Sequence, residues 1–185
     1  MYYNPYMYPY RYPYDGNVPM YSYDNQPWYW AYPQDYGHTA WRPSQGQGNL
    51  PLKDYGPNPF VFDINKATKQ NKTFRTALWT GDHLQLTLMS IQPGEDIGLE
   101  SHPNLDQFLR VEQGQGFVQM GKQKNNLNFT RNVMDDYAII IPAGMWHNLT
   151  NTGNTPLKLY SIYAPPNHPF GTVHATKAEA IAAEE

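Results

Sequence analysis

The sequence predicts an all-β fold, a sandwich or a barrel, that ends in one short helix. Three observations lead to this prediction: short runs rich in β-branched and aromatic residues, turn residues between the runs, and a single segment of helix formers at the C-terminus. The runs expected to be strands are 60–64, 74–80, 83–91, 109–113, 116–120, 137–141 and 157–164.

The first 56 residues differ in composition from the rest and are predicted to form an extended, low-complexity arm. Of the 16 tyrosines in the chain, 13 lie within residues 1–55, where prolines are frequent and aliphatic residues are scarce. Proline fixes φ and removes a backbone donor, so no regular helix or sheet can persist there, and little is available to build a core. The predicted division is an arm over residues 1–56 and a folded domain over residues 57–185.

Alternation and turn chemistry support the strands of the folded domain. The segment "HLQLTLMSI" (83–91) alternates apolar and polar residues, which is typical of a strand with one face on a core. Turn pairs such as Pro93-Gly94 separate the runs. The last segment, "ATKAEAIAAEE", is predicted as the one helix, with Thr176 as its N-cap and Glu179 as the capping-box partner.

Charge and composition exclude several classes of protein. The net charge is −3 and the arm is nearly neutral, so neither a nucleic-acid-binding tail nor electrostatic steering is expected. There is no cysteine, which excludes disulfides, thiolate metal sites and cysteine nucleophiles. No stretch approaches the roughly 20 apolar residues of a membrane helix, and the N-terminus lacks the pattern of a secretory signal. We therefore expect cytoplasmic synthesis and no membrane partner.

Two segments carry glycine, proline and polar residues at fixed spacing. The first contains Gly94, Glu100, His102, Gln107 and Gly114, and the second contains Asp136, Pro142, Gly144, His147 and Asn151. This spacing resembles the two motifs of the cupin superfamily, G-x5-H-x-H-x3,4-E-x6-G and G-x5-P-x-G-x2-H-x3-N. The resemblance covers roughly residues 60–165, and the chain looks like small single-domain bacterial cupins described as mannose-6-phosphate-isomerase-like.

Three positions depart from the family pattern. Glu100 stands at the first histidine position, Gln107 stands at the glutamate position, and Asp136 stands at the opening glycine of the second motif. With deprotonated ligands, two histidines, one glutamate and one glutamine carry the same charge of −1 as the family's three histidines and one glutamate. The exchange moves the carboxylate without changing the charge of the site.

The resemblance implies a double-stranded β-helix, that is, a jelly-roll barrel, with a metal ion inside. The implied ligands are Glu100, His102, Gln107 and His147, and their nitrogen and oxygen donors suit a divalent transition metal: Mn, Fe, Ni or Zn. On a strand, residues i and i+2 face the same side, which would bring Glu100 and His102 together. The alternative is a metal-free polar pocket, in which a buried Glu100 would need a partner or a raised pKa.

Three functions are compatible with these features. The first is a metal-dependent enzyme acting on a small polar molecule, either by sugar isomerisation or epimerisation with Glu100 as the catalytic base, or by oxygenation or decarboxylation of an organic acid. The second is structural, because the arm looks like the Tyr- and Pro-rich extensions of spore coat proteins and would bind other coat proteins. The third is a sugar-binding module without turnover. Whether the protein is an enzyme is left open.

The sequence also leads to expectations about oligomeric state and about three side chains near the predicted site. A homodimer is expected from the resemblance to small cupins, with segments 60–64 and 74–80 as candidate edge strands. Tyr160 and Tyr163 are three residues apart on one strand, so they do not share a face, and one of them could reach the cavity as a hydrogen-bond donor. His168 is expected to pack in a turn.

Overall fold

The computed structural model describes residues 48–183, which contain nine strands and two helices. The helices are α1 (Ile64–Gln70) and α2 (Lys177–Ala182). The strands are β1 (Arg75–Thr80), β2 (Gln85–Ile91), β3 (Asp106–Gln113), β4 (Gln115–Gly121), β5 (Phe129–Met134), β6 (Ala138–Ile141), β7 (Trp146–Asn151), β8 (Leu157–Ala164) and β9 (Val173–His174). Predictions for residues 1–47 of the arm lie outside this part of the chain. Within it, neither helix has the length and apolar character needed to cross a membrane.

The strands form two antiparallel sheets around one core, which confirms the all-β prediction. The larger sheet has the order β6-β3-β8-β2-β1-β9, and the smaller has the order β5-β4-β7. Leu109 and Leu159 from the larger sheet and Val118 and Leu149 from the smaller sheet belong to one buried apolar cluster. Alternation along each strand turns these residues inward, as it must when one face of a sheet packs on a core.

Residues 94–102 run beside β7 without forming a regular strand. Ile97 N donates to Leu149 O at 3.1 Å. Glu100 and His147 exchange two backbone hydrogen bonds, of 3.1 and 2.9 Å. The segment thus extends the smaller sheet by one irregular strand, and it places the side chain of Glu100 beside that of His147.

The predicted strand over residues 60–64 is wrong, as is the prediction of a single helix. Asp63 accepts a hydrogen bond from Lys66 N at 2.9 Å and caps α1, which begins at Ile64. Residues 60–63 form no strand, and the rings of Phe60 and Phe62 stack on each other at 4.7 Å. Periodicity alone cannot assign a short apolar run to strand or helix, and here the capping residue decides.

The segment before α1 covers the outer face of the larger sheet together with α1. Leu50 N donates to the side chain of Gln70 at 3.1 Å, and Tyr55 N donates to Leu78 O at 2.9 Å. Residues 48–56, which composition assigned to the arm, therefore contact the folded domain. The prediction that segments 60–64 and 74–80 are edge strands is wrong. The first segment forms no strand, and the second contains β1, which lies between β2 and β9.

Helix α2 begins where capping chemistry predicted. The hydroxyl of Thr176 accepts from Glu179 N at 3.2 Å, and the carboxylate of Glu179 accepts from Ala175 N at 2.7 Å. Lys177 Nζ lies 2.6 Å from the carboxylate of Asp96. This contact ties the C-terminal helix to the irregular segment that carries Glu100.

Candidate metal centre

Two turns direct the predicted ligands into the barrel. The turn at Pro103 and Asn104 separates His102 from β3, and the turn over residues 142–144 leads into β7. Gly144 has a φ of 76°, in the left-handed region that favours glycine. Its N–H donates to His102 O at 2.8 Å. That bond joins the two turns, so the ligands of both motifs approach one another.

Asp136 occupies the position of the motif's opening glycine, and its backbone explains how the substitution is tolerated. Its φ is 70°, and it is the one non-glycine residue with positive φ among those described. Aspartate adopts this left-handed conformation more readily than most residues. Its carboxylate also accepts a hydrogen bond from Arg110. Asp136 therefore meets the same backbone requirement as the glycine.

Glu100, His102 and His147 meet inside the barrel. Glu100 Oε1 lies 3.2 Å from His147 Nε2 and 3.3 Å from His102 Nε2. One ligand atom from each residue lies within 4.8 Å of the other two. The side chain of His147 is 1% exposed, whereas Glu100 and His102 are each 16% exposed. The cluster is therefore open to solvent on the side of Glu100 and His102.

The hydrogen bond of His147 to the backbone directs its Nε2 towards Glu100. His147 Nδ1 lies 3.0 Å from the carbonyl oxygen of Met145, which only accepts, so Nδ1 carries the hydrogen. Nε2 then faces Glu100 Oε1 at 3.2 Å, with a lone pair in the neutral imidazole and with an N–H donor in the imidazolium. A proton or a metal ion must therefore lie between the two atoms.

The carboxyl group of Glu100 favours its ionised form. Burial is the largest single influence and raises the pKa, but hydrogen bonds and positive charge from His102 and His147 together outweigh it and lower the pKa to about 2. The two histidines are thus the partners that a buried Glu100 requires. A carboxylate with two imidazole nitrogens is also a donor set for transition metals.

The spacing of the donor atoms fits a coordination polyhedron. With metal–ligand distances of about 2.1 Å, neighbouring ligand atoms are about 3.0 Å apart at a right angle and about 3.4 Å apart at the tetrahedral angle. The separations from Glu100 Oε1 to the two histidine nitrogens, 3.2 and 3.3 Å, lie within that interval. The residues present therefore fit a divalent transition metal.

Gln107 enters the barrel from β3 and contacts Ser161. Its side chain is buried, its Nε2 donates to Ser161 Oγ at 3.1 Å, and its Oε1 has no hydrogen-bond partner among the described residues. Leaving a buried oxygen unpartnered is costly unless an ion, a water or a ligand completes it. Ser161 thus orients the amide so that Oε1 remains available as an oxygen donor.

Of the two candidate tyrosines, Tyr163 is the one on the inner face. It is 1% exposed, whereas Tyr160 packs in the outer layer. Alternation along β8 is the signal, because Leu157 and Leu159 point inward and the positions of Ser161 and Tyr163 follow them. Ser161 was not predicted from the sequence, since nothing local shows that it faces Gln107.

His168 packs as expected, but against the inner side of the barrel. Its ring meets that of Tyr163 edge-on, with centroids 5.1 Å apart. Burial, and next the positive charge of Arg75, lower the pKa of His168 to about 3, so the ring is neutral.

A cavity of about 530 Å³ lies elsewhere, at the ends of β4, β5 and β6. It is lined by Met120, Gly121, Lys122, Gln123, Asn126, Asn128, Phe129, Ile140, Pro142 and Met145. None of the four predicted ligands lines it. Donor chemistry, and not cavity volume, therefore identifies the candidate centre.

Comparison with known proteins places this geometry in a family. Residues 87–163 match the model of the cupin domain. The chain is 65% identical over 189 residues to the uncharacterized protein YrkC of Bacillus subtilis, covering all of both chains. It is 39% identical over 122 residues to an uncharacterized protein of Acanthamoeba polyphaga mimivirus, covering 65% of this chain and 74% of the relative.

A solved structure supports the same assignment. The crystal structure of BH2720 from Bacillus halodurans is similar with a TM-score of 0.70 and 70% identity, over 71% of this chain and 99% of that chain. The two sheets, the short C-terminal helix and the two motifs thus agree with the sequence comparisons, and the chain belongs to the cupin family.

Proposed function

We propose that the protein binds a divalent transition metal, Mn, Fe, Ni or Zn, and uses it to act on a small polar molecule. Glu100, His102 and His147 would be the ligands, with Gln107 as a fourth oxygen donor. The observation that carries the proposal is the convergence of three ligand atoms, in which Glu100 Oε1 lies 3.3 Å from His102 Nε2 and 3.2 Å from His147 Nε2. The backbone carbonyl that fixes the other nitrogen of His147 is the usual second partner of a metal-binding histidine.

A bound metal ion would supply Lewis-acid chemistry on a carbonyl or hydroxyl oxygen. Glu100 suits the role of ligand better than that of base, because a carboxyl group with a pKa of about 2 is a weak proton acceptor at neutral pH. Its catalytic role stays a prediction. The partly exposed side of Glu100 and His102 is the route by which a small molecule would reach the centre.

The test is the metal content and metal-dependent stability of the purified protein. Apoprotein prepared with a chelator should bind one of Mn²⁺, Fe²⁺, Ni²⁺ or Zn²⁺ at one ion per chain in calorimetry, and the ion should raise the melting temperature. Glu100→Gln and His147→Ala should weaken binding at least about 100-fold, so that ion concentrations that saturate the wild type no longer raise the melting temperature. Wild-type protein with neither stoichiometric metal nor a thermal shift would refute the proposal.

The matched control is Glu95→Gln, which removes a carboxylate from the same segment. Glu95 is exposed, so this variant should bind metal like the wild type. If Glu95→Gln and Glu100→Gln weaken binding equally, the carboxylate acts through general charge and not as a ligand.

The reaction class follows from a substrate screen of the metal-loaded protein. Sugars and sugar phosphates test isomerisation or epimerisation, and small organic acids under air test oxygenation or decarboxylation. A ligand that stabilises the protein without giving a product would favour the sugar-binding module instead.

A second candidate, an assembly role, concerns the arm. It is supported by the arm's composition and by the match to YrkC over the whole chain, which includes the arm. Deleting residues 1–56 should then change self-association, measured by light scattering, or location in spores. Unchanged behaviour in both would remove this candidate, and scattering of the full chain also tests the expected homodimer.

A further inference from the structure

Gln85 clamps the loop that follows β8. Its side chain is fully buried at the start of β2. Its Oε1 accepts from His168 N at 2.9 Å and from Asn167 N at 3.3 Å. Its Nε2 donates to His168 O at 2.8 Å and to Thr80 Oγ1 at 2.9 Å. A buried amide that uses both ends in this way holds the backbone of His168 in one place.

The clamp determines where the ring of His168 lies. That ring meets Tyr163 edge-on, at 5.1 Å and 90°, and Tyr163 in turn meets His102 edge-on, at 5.8 Å and 84°. Aromatic rings prefer edge-to-face contacts at these separations, and each such pair restricts the other's rotation. Three rings therefore connect the clamped loop to one of the candidate metal ligands.

His102 needs this support because it stands outside the regular strands. His147 belongs to β7, which pairs with β4 on one side and exchanges backbone hydrogen bonds with Glu100 on the other. Gln107 belongs to β3, which pairs with β6 and β8. His102 instead precedes the turn at Pro103. Its ring is positioned by Glu100, 3.3 Å away, and by the rings of Tyr163 and His147.

We propose that Gln85 and His168 are positioning residues of the metal centre. Gln85 holds His168, His168 packs against Tyr163, and Tyr163 keeps the ring of His102 oriented for metal binding. The inference rests on the metal-binding function proposed above. Groups that contact a ligand directly commonly change metal affinity by about 10–100-fold, and His168 acts one contact further out, through Tyr163, so we expect the lower end of this range.

Two variants at His168 distinguish the effect of the aromatic ring on metal binding from the effect of its nitrogen atoms. His168→Ala removes the ring from Tyr163 and should weaken metal binding about 10-fold, whereas His168→Phe keeps an aromatic ring and should stay within about twofold of the wild type. Gln85→Leu, which removes the four hydrogen bonds, should behave like His168→Ala. Calorimetry gives the dissociation constant, and melting of the apoprotein gives stability separately.

The control for a merely structural effect is Leu86→Ala on the same strand as Gln85. Leu86 packs in the outer layer, so its truncation should lower stability and leave the dissociation constant unchanged. If His168→Ala binds metal like Leu86→Ala, or if His168→Phe binds as weakly as His168→Ala, the positioning role is refuted.

A second readout does not require metal. In the apoprotein, the imidazole proton resonances of His102 should be shifted by the neighbouring Tyr163 ring, and His168→Ala and Gln85→Leu should move or broaden them while His168→Phe preserves them. Failure of the wild type to bind metal would refute the proposed function but leave this readout informative. His102 resonances unchanged in both His168→Ala and Gln85→Leu would overturn the inference itself.

Discussion

The two ends of the barrel interior are built from the same strands but from different chemistry. At one end, β2 and β8 pair Ile91 with Leu157, and both side chains are fully buried in the apolar cluster. At the other end, the same strands pair Gln85 with Tyr163, and β3 adds Gln107 to this row. Six residues along one strand therefore separate an apolar core from a polar wall beside the candidate metal centre.

This difference shows that the residues that stabilise the fold and the residues of the candidate metal centre lie at opposite ends of the barrel interior. The apolar end stabilises the fold through burial, at roughly 25 cal/mol for each Å² removed from water. The polar end buries groups that cost free energy unless partners complete them, as with Gln107 Oε1. Substitutions at the two ends should therefore change different measured quantities.

The largest expected effect is on stability, from Leu157→Ala at the apolar end. Truncating a fully buried leucine should lower the free energy of unfolding by about 2–5 kcal/mol, through lost burial and the cavity left behind. Urea unfolding of the apoprotein measures this change. The metal dissociation constant of the folded protein should not change, and a rise above about tenfold would show that the two ends are coupled.

The next effect is on metal affinity, from Glu100→Gln at the polar end. Replacing the one anionic ligand with a neutral amide should weaken binding at least about 100-fold, which is about 2.7 kcal/mol. Calorimetry on chelator-treated protein measures it. The stability of the apoprotein should change by less than in Leu157→Ala, and the opposite order would contradict the division between the ends.

A smaller effect is expected from Ser161→Ala, which removes the partner of the Gln107 amide. The amide then loses its fixed orientation, and metal affinity should fall about 10-fold. Thr87→Val is the matched control, because Thr87 pairs with Ser161 across the strands and its buried hydroxyl has no partner among the described residues. It should leave affinity unchanged and raise stability by about 1 kcal/mol. Equal losses of affinity in both variants would show that Ser161 does not act by orienting the Gln107 amide.

The last effect is a pH dependence from His168, which is spread over several pH units. Its pKa in the folded protein, about 3, lies below the ordinary 6.5, so the unfolded chain binds a proton first. Stability is therefore complete above pH 6.5 and falls as the pH drops towards 3, by at most about 1.4 kcal/mol per pH unit.

His168→Phe should remove this dependence. Urea unfolding of the apoprotein between pH 7 and 4 should show the wild type losing stability relative to His168→Phe. His83→Gln, at an exposed histidine, should follow the wild type. Parallel curves for the wild type and His168→Phe would show that the folded protein does not hold the His168 ring neutral.

Much of the fold was predictable because its signals are local. Alternation identified β2 as a strand, but the prediction that only one of its faces packs on a core is wrong, because all seven residues are buried and Leu86 and Leu88 lie in the outer layer. Thr176 with Glu179 marks the start of α2. The strand predicted over residues 60–64 failed because the decisive residue, Asp63, was not recognised as a helix cap. Asp136 shows the opposite case, a departure from the motif that preserves the backbone conformation.

The candidate site was likewise predictable only in the features that depend on local sequence. Spacing along the chain was sufficient to nominate Glu100, His102, Gln107 and His147, since motif positions are a property of neighbours in sequence. Spacing does not show which atoms of these residues meet. Glu100 and His147 are 47 residues apart, and their contact depends on strand pairing. Folding thus decides which nitrogen of His147 faces Glu100 and which loop supports His102. Contacts of this kind join distant segments, and no local pattern encodes the register that brings them together.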